Sequence, residues 1–135
     1  ERIAALVYLD AIVPKSGESA MAAVIAGAGE TPPPPAEEIM PLTPELAEMV
    51  GIPASLLWRY TPQPMKTMTD PIHLTGAHTT ISTRIYVRAL QFPGMAASYA
   101  RIQAQPGWEF EEIDASHNLM HDAPDRLAAL LDAMS

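Results

Sequence analysis

The sequence predicts an α/β domain built on a parallel sheet. Three apolar, strand-like runs lie at residues 4–9, 83–90 and 108–113. Helical patterns separate and follow them, an order that implies parallel strands joined by crossover connections. The last helical pattern is the clearest: Leu127, Ala128, Leu130, Leu131 and Met134 recur at helical spacing, so one side of a helix over residues 124–134 is apolar.

The elements follow in order. Residues 4–9 read Ala-Ala-Leu-Val-Tyr-Leu, a continuous apolar run ending at Asp10. Such a run predicts a strand buried on both faces, central or nearly so in its sheet. The polar stretch 16–19 can open a helix over residues 20–26, closed by Gly27 and Gly29. Pro32, Pro33, Pro34 and Pro35 favour polyproline II and read as an exposed connection. Thr43 followed by Pro44 predicts an N-cap and first helical residue, with the helix running to Val50 and stopped by Gly51. A short helix from Pro53 carries Leu56, Leu57 and Trp58, and residues 61–71 read as loop and single turns. In the second strand Ile85, Val87 and Ala89 share a face. A helix over residues 95–103 precedes the third strand, and residues 118–122 read as loop.

Composition bounds the chemistry. The chain has 135 residues, of which 48% are hydrophobic and 18% charged, and a mean hydropathy of +0.05. That is enough apolar side chain for a core of about one domain or part of one. Proline contributes 14 residues, about twice ordinary usage, which predicts short helices and loops in the middle of the chain. Eight basic and sixteen acidic residues give a net charge of −8. Without a basic cluster the chain lacks the counterion-displacing surface that nucleic acid or an anionic membrane requires. Cysteine is absent, which removes disulfides, thiolate metal sites and thiol nucleophiles. No apolar run reaches membrane-spanning length, and no signal peptide is visible, so a cytoplasmic location is the expectation. The first residue is Glu1 and the chain enters a core strand almost at once, which predicts the C-terminal portion of something larger.

Parallel sheets carry function just past the carboxyl ends of their strands. Asp10 follows the first run, and His117 lies a few residues after Ile113. An Asp and a His presented from one sheet edge can pair, the carboxylate fixing the imidazole tautomer and stabilising the imidazolium. His73 and His78 have no third ligand nearby. His121 lies four residues from His117 in what reads as loop, so no metal site is expected.

Four segments carry a resemblance. Ala5-Leu-Val-Tyr-Leu-Asp-Ala-Ile-Val-Pro-Lys-Ser-Gly-Glu-Ser19 resembles the sixth sheet strand and following loop of α/β-hydrolase-fold esterases, in the branch of methyl-ester esterases and hydroxynitrile lyases. Arg59-Tyr-Thr-Pro-Gln-Pro-Met65 is similar to that branch's cap, and Arg84-Ile-Tyr-Val-Arg88 to the seventh strand. Gly107-Trp108, then Ile113-Asp-Ala-Ser-His-Asn-Leu-Met120 with Pro124, resembles the last strand, the catalytic-histidine loop and the final helix.

The resemblance implies the C-terminal part of an α/β-hydrolase fold with a helical cap insertion. Residues 1–14 would supply a core strand and acid loop, residues 15–80 the cap, and residues 81–135 the last two core strands, their helices and the histidine loop. It implies a cofactor-free Ser-His-Asp hydrolase of a small apolar ester, with His117 as general base. Leu57, Trp58, Met65 and Met120 would line an apolar substrate pocket. Two departures stand out. No Gly-x-Ser-x-Gly occurs, so the nucleophile would come from an N-terminal partner segment, since the elbow lies upstream of the sixth strand in this fold. Ser16, Ser19 and Ser116 read as turn or capping residues. The family's commoner acid follows the seventh strand, where this chain has Ala89-Leu-Gln-Phe-Pro-Gly94. Asp10 is the natural replacement, with Asp114 and Asp122 as alternatives. A lyase using the same histidine and a non-catalytic truncated subunit stay open as other readings, as does a homodimer.

Overall fold

The computed structural model describes residues 3–25 and 39–134. Its main sheet has three parallel strands in the order β1 (Ala5–Leu9), β4 (Thr83–Ala89), β5 (Glu109–Ile113). The class predicted from the sequence, α/β with a parallel sheet flanked by helices, is the class observed. Alternation along β4 builds both sides of the core. Ile85, Val87 and Ala89 join Ile113, Leu119, Leu127 and Leu130 in one apolar cluster, while Tyr86 joins Tyr99 and Ile102 in a second. β4 is therefore the buried strand. Helix α6 (Pro124–Asp132) contributes to the first cluster and α4 (Ala96–Gln103) to the second.

The segment between β1 and β4 is made of short pieces, as its prolines require. It holds α1 (Ala20–Ile25), α2 (Pro44–Met49), a 3₁₀ turn at Ala54–Arg59, and α3 (Lys66–Thr69). Two-residue strands β2 (Ile39–Met40) and β3 (Gln63–Pro64) pair antiparallel across it. The Thr43 hydroxyl accepts from the Leu46 N–H at 3.2 Å, the cap expected from Thr43-Pro44. The tetraproline run and the glycines expected to close the first helix lie outside the described residues. Among the described residues, no helix is long and apolar enough to cross a membrane.

β1 pairs with β4 on one side and its five residues are half-buried; its apolar composition is that of an interior strand, and among the described residues nothing pairs with its outer edge. Two expectations are corrected. Residues 118–122 are not loop throughout, because Leu119–Asp122 forms one helical turn, α5, anchored by the fully buried Leu119. On α6 the buried stripe is narrower than the apolar pattern suggested. Leu127 and Leu130 are buried, whereas Ala128 and Leu131 are exposed, since one residue of rotation carries them past the contact line.

A charged tie holds the turn after β1 against α4. The Arg101 guanidinium donates to both Glu18 carboxylate oxygens, at 3.1 and 2.9 Å, and to the Val13 carbonyl. The Lys15 N–H donates to Glu18 Oε2 at 2.7 Å. This backbone bond, then Arg101, holds the Glu18 carboxyl below its usual range. A depressed carboxyl stabilises the fold above its unfolded value and loses that contribution as pH falls through the folded value. Glu18→Gln is expected to cost roughly 1 kcal/mol at pH 7, with the difference from the parent closing in the acid range. Urea unfolding at neutral and acid pH measures it.

Candidate active site

Asp10 sits at the point where β1 ends. Its N–H donates to the Val87 carbonyl at 2.7 Å, continuing the ladder by one residue. Its backbone then turns into the left-handed region, φ 41°, which Asp tolerates better than most residues because its short polar side chain can bond locally. The side chain is fully buried, and both carboxylate oxygens have partners. Oδ1 accepts from the Ala89 N–H at 3.2 Å, at the carboxyl end of β4. Oδ2 lies 2.7 Å from Nδ1 of His117. Asp10 thus bridges the end of the middle strand to reach a residue that follows the far one.

The segment after Asp10 is pinned by Tyr86, whose hydroxyl donates to the Ala11 carbonyl at 2.8 Å. Burial first, and then the negative charge of Asp10, hold that phenol well above its ordinary range. At neutral pH it is therefore a neutral donor.

His117 follows β5 in the loop before α5. Its side chain is 32% exposed, so one part of the ring meets solvent while Nδ1 meets the buried carboxylate. Since an ionised carboxylate only accepts, Nδ1 carries the proton in this pair, leaving Nε2 as the ring's acceptor. The face of the imidazole packs on Phe92, with centroids 4.6 Å apart and planes tilted by 41°. Phe92 belongs to the loop after β4, the stretch that holds no acid. A Cβ on Gly94 would lie 2.5 Å from Phe92 Cζ, so the missing side chain at Gly94 is what lets this ring lie where it does.

The alternative carboxylates are engaged elsewhere. Asp114 Oδ1 accepts from Gln91 Nε2 at 3.1 Å. Asp122 Oδ1 lies 2.9 Å from His121 Nδ1, and its Oδ2 accepts from the Ser116 N–H at 3.3 Å. The His121 bond first, then Ser116, holds the Asp122 carboxyl below its usual range. Ser116 Oγ accepts from the Asn118 N–H at 3.2 Å, a turn role like the one its position suggested.

The four apolar residues expected in a pocket are dispersed in burial. Met65 is buried and Leu57 half-buried, whereas Trp58 and Met120 are 79% and 59% exposed. Trp58 carries the Arg59 guanidinium over its ring at 5.3 Å. Sequence reasoning brought Asp10 and His117 forward but missed Phe92, an aromatic beside a Pro-Gly pair in the loop after a buried strand. It also read Gly51 only as a helix stop. The described residues contain no cluster of three or more potential metal ligands.

No family model and no solved structure matches this chain. Among curated proteins it is 30% identical, over 152 aligned positions, to a carbendazim hydrolyzing esterase of Nocardioides sp. (strain SG-4G). The alignment takes in 98% of this chain and 62% of that esterase, so the chain spans rather less than two thirds of its relative's length. At that identity and coverage, the chain is related to an esterase-like hydrolase.

Proposed function

We propose that this chain is the histidine- and acid-bearing part of a carboxylic-ester hydrolase of the Ser-His-Asp type. The observation that carries the reading is the 2.7 Å contact between the buried Asp10 carboxylate and His117 Nδ1, at the carboxyl edge of a parallel sheet. The relationship to an esterase supports it. With Nδ1 committed to Asp10, Nε2 of His117 takes the proton from a serine hydroxyl as its oxygen attacks the ester carbonyl. The tetrahedral intermediate collapses, and Nε2 returns that proton to the departing alcohol. Water then enters by the same route: His117 deprotonates it, it cleaves the acyl-serine, and serine regains the proton. Asp10 stabilises the imidazolium at each stage, and buried in apolar surroundings it does so more strongly than it would in water.

The serine belongs to a segment outside these 135 residues. The half-buried β1, with interior composition and an unpaired outer edge among the described residues, fits a neighbouring strand supplied by that segment. On this reading the Asp10–His117 edge belongs to the C-terminal part of an α/β-hydrolase core, and residues 15–80 form its cap. Leu57, Trp58 and Met65 from that cap, with Met120 from beside the histidine loop, would line an apolar pocket for a small ester.

The test is a serine-directed fluorophosphonate applied to the product of the native gene, alongside turnover of a short-chain aryl ester. Labelling of one serine outside residues 1–135, with loss of turnover on labelling, is the expected result. Ester turnover that survives complete labelling, or no turnover in the intact protein, overturns the proposal.

A further inference from the structure

The loop that carries His117 is held from both sides by one turn of the segment inserted between β1 and β4. Gly51 ends α2 with φ +74°. Its carbonyl accepts from Asn118 Nδ2 at 3.1 Å, a bond between residues 67 positions apart in sequence. A Cβ on Gly51 would stand 1.9 Å from Ser116 Oγ, 2.8 Å from Ser116 Cβ and 3.5 Å from Asn118 Cβ. Ser116 and Asn118 are the two neighbours of His117, and Ser116 Oγ in turn accepts from the Asn118 N–H at 3.2 Å. The adjacent Val50 packs against the apolar cluster that contains Leu119, the first residue of α5 after that loop. The turn at 50–51 therefore touches the chain immediately before and immediately after His117, and its close approach requires glycine.

We propose that Gly51 and Asn118 are positioning residues for the base. The inserted segment is not an independent cover but part of the scaffold that aims the imidazole. Asp10 fixes one ring nitrogen, Phe92 supports one ring face, and the Gly51–Asn118 clamp fixes the backbone from which the ring projects. A donor at Asn118 Nδ2 is needed because the Gly51 carbonyl can only accept. Asn118→Asp keeps the shape of the side chain and removes that donor, so it separates the bond from the packing. The inference rests on His117 being the general base.

The experiment compares the intact protein with Asn118→Asp, Asn118→Ala and Gly51→Ala. The first readout is the proton resonance of the His117 Nδ1–H bonded to Asp10, recorded without substrate. The second is kcat and KM for ester turnover. The resonance is expected to broaden or vanish in the variants. Their kcat is expected to fall by about ten- to a hundredfold, the scale of an ångström-sized misplacement, with KM within about threefold of the parent. Asn118→Asp that folds, keeps the resonance and keeps kcat within twofold overturns the clamp, as does a loss confined to KM. A parent that turns over no ester discards the esterase reading, while a resonance that still disappears in Asn118→Asp sustains the clamp. Where Gly51→Ala fails to fold, the two Asn118 variants decide.

Discussion

His117→Ala is expected to lower ester turnover of the intact protein by at least about four orders of magnitude, with the fold preserved. The size follows from what the ring does in the proposed mechanism: without it no group of suitable basicity would take the serine proton, and none would return a proton to the leaving alcohol. The fold should persist because His117 is partly exposed and its main packing contact is one face of Phe92. Truncation leaves a solvent-reachable gap rather than a hole in the central core. Far-ultraviolet circular dichroism and the urea midpoint verify the fold, and kcat/KM reads the effect. Retention of more than about a tenth of turnover, or less than 1.4 kcal/mol of barrier, would remove His117 from the mechanism.

Asp10→Asn carries the second largest expected effect, up to about four orders of magnitude in kcat. The two hydrogen bonds of Asp10 dictate the outcome. The Ala89 N–H is a donor and requires an oxygen facing it, now at 3.2 Å. An asparagine that keeps this bond presents its amide nitrogen to His117. That nitrogen donates, so Nδ1 becomes an acceptor and the ring proton moves to Nε2. The imidazole then faces the serine with a proton already on the nitrogen that must receive one. The opposite rotamer restores the imidazole tautomer but sets two N–H groups against each other at Ala89, in a fully buried place where an unpaired donor is costly. Asp114→Asn is the control, because its carboxylate is exposed and bonded to Gln91, and it should leave kcat within about twofold of the parent on the scale of a surface hydrogen bond. Equal losses from Asp10→Asn and Asp114→Asn, or a tenfold loss confined to Asp114→Asn, would assign the acid differently.

The contact between Asp10 and His117 lets the proposed mechanism do without an acid after β4. The Asp10 carboxylate sits one strand over, and the middle strand serves as its platform. Val87 and Ala89 supply a carbonyl and an N–H that hold Asp10 in register, and Phe92 occupies the space beyond the strand end. Position on the sheet edge, not position in the chain, decides which carboxylate can reach the histidine.

Local patterns determined much of this protein. Apolar runs bounded by Asp10 and by proline and glycine marked the three parallel strands, Thr43-Pro44 marked the start of α2, and alternation along 85–89 placed Ile85, Val87 and Ala89 on one face of a buried strand. Strand ends in a parallel sheet have a known polarity, so Asp10 and His117 could be set on one edge before any contact was visible. What only the tertiary structure decided was everything that depends on distance between remote segments: the exposure of Leu131, Trp58 and Met120, Phe92 against the imidazole, and Gly51 between Ser116 and Asn118. The physical reason is that backbone periodicity is written in neighbouring residues. A side chain's burial, and the close approach of one turn to another, are set by how separate elements pack, and residues 67 or 107 apart leave no local trace of their contact.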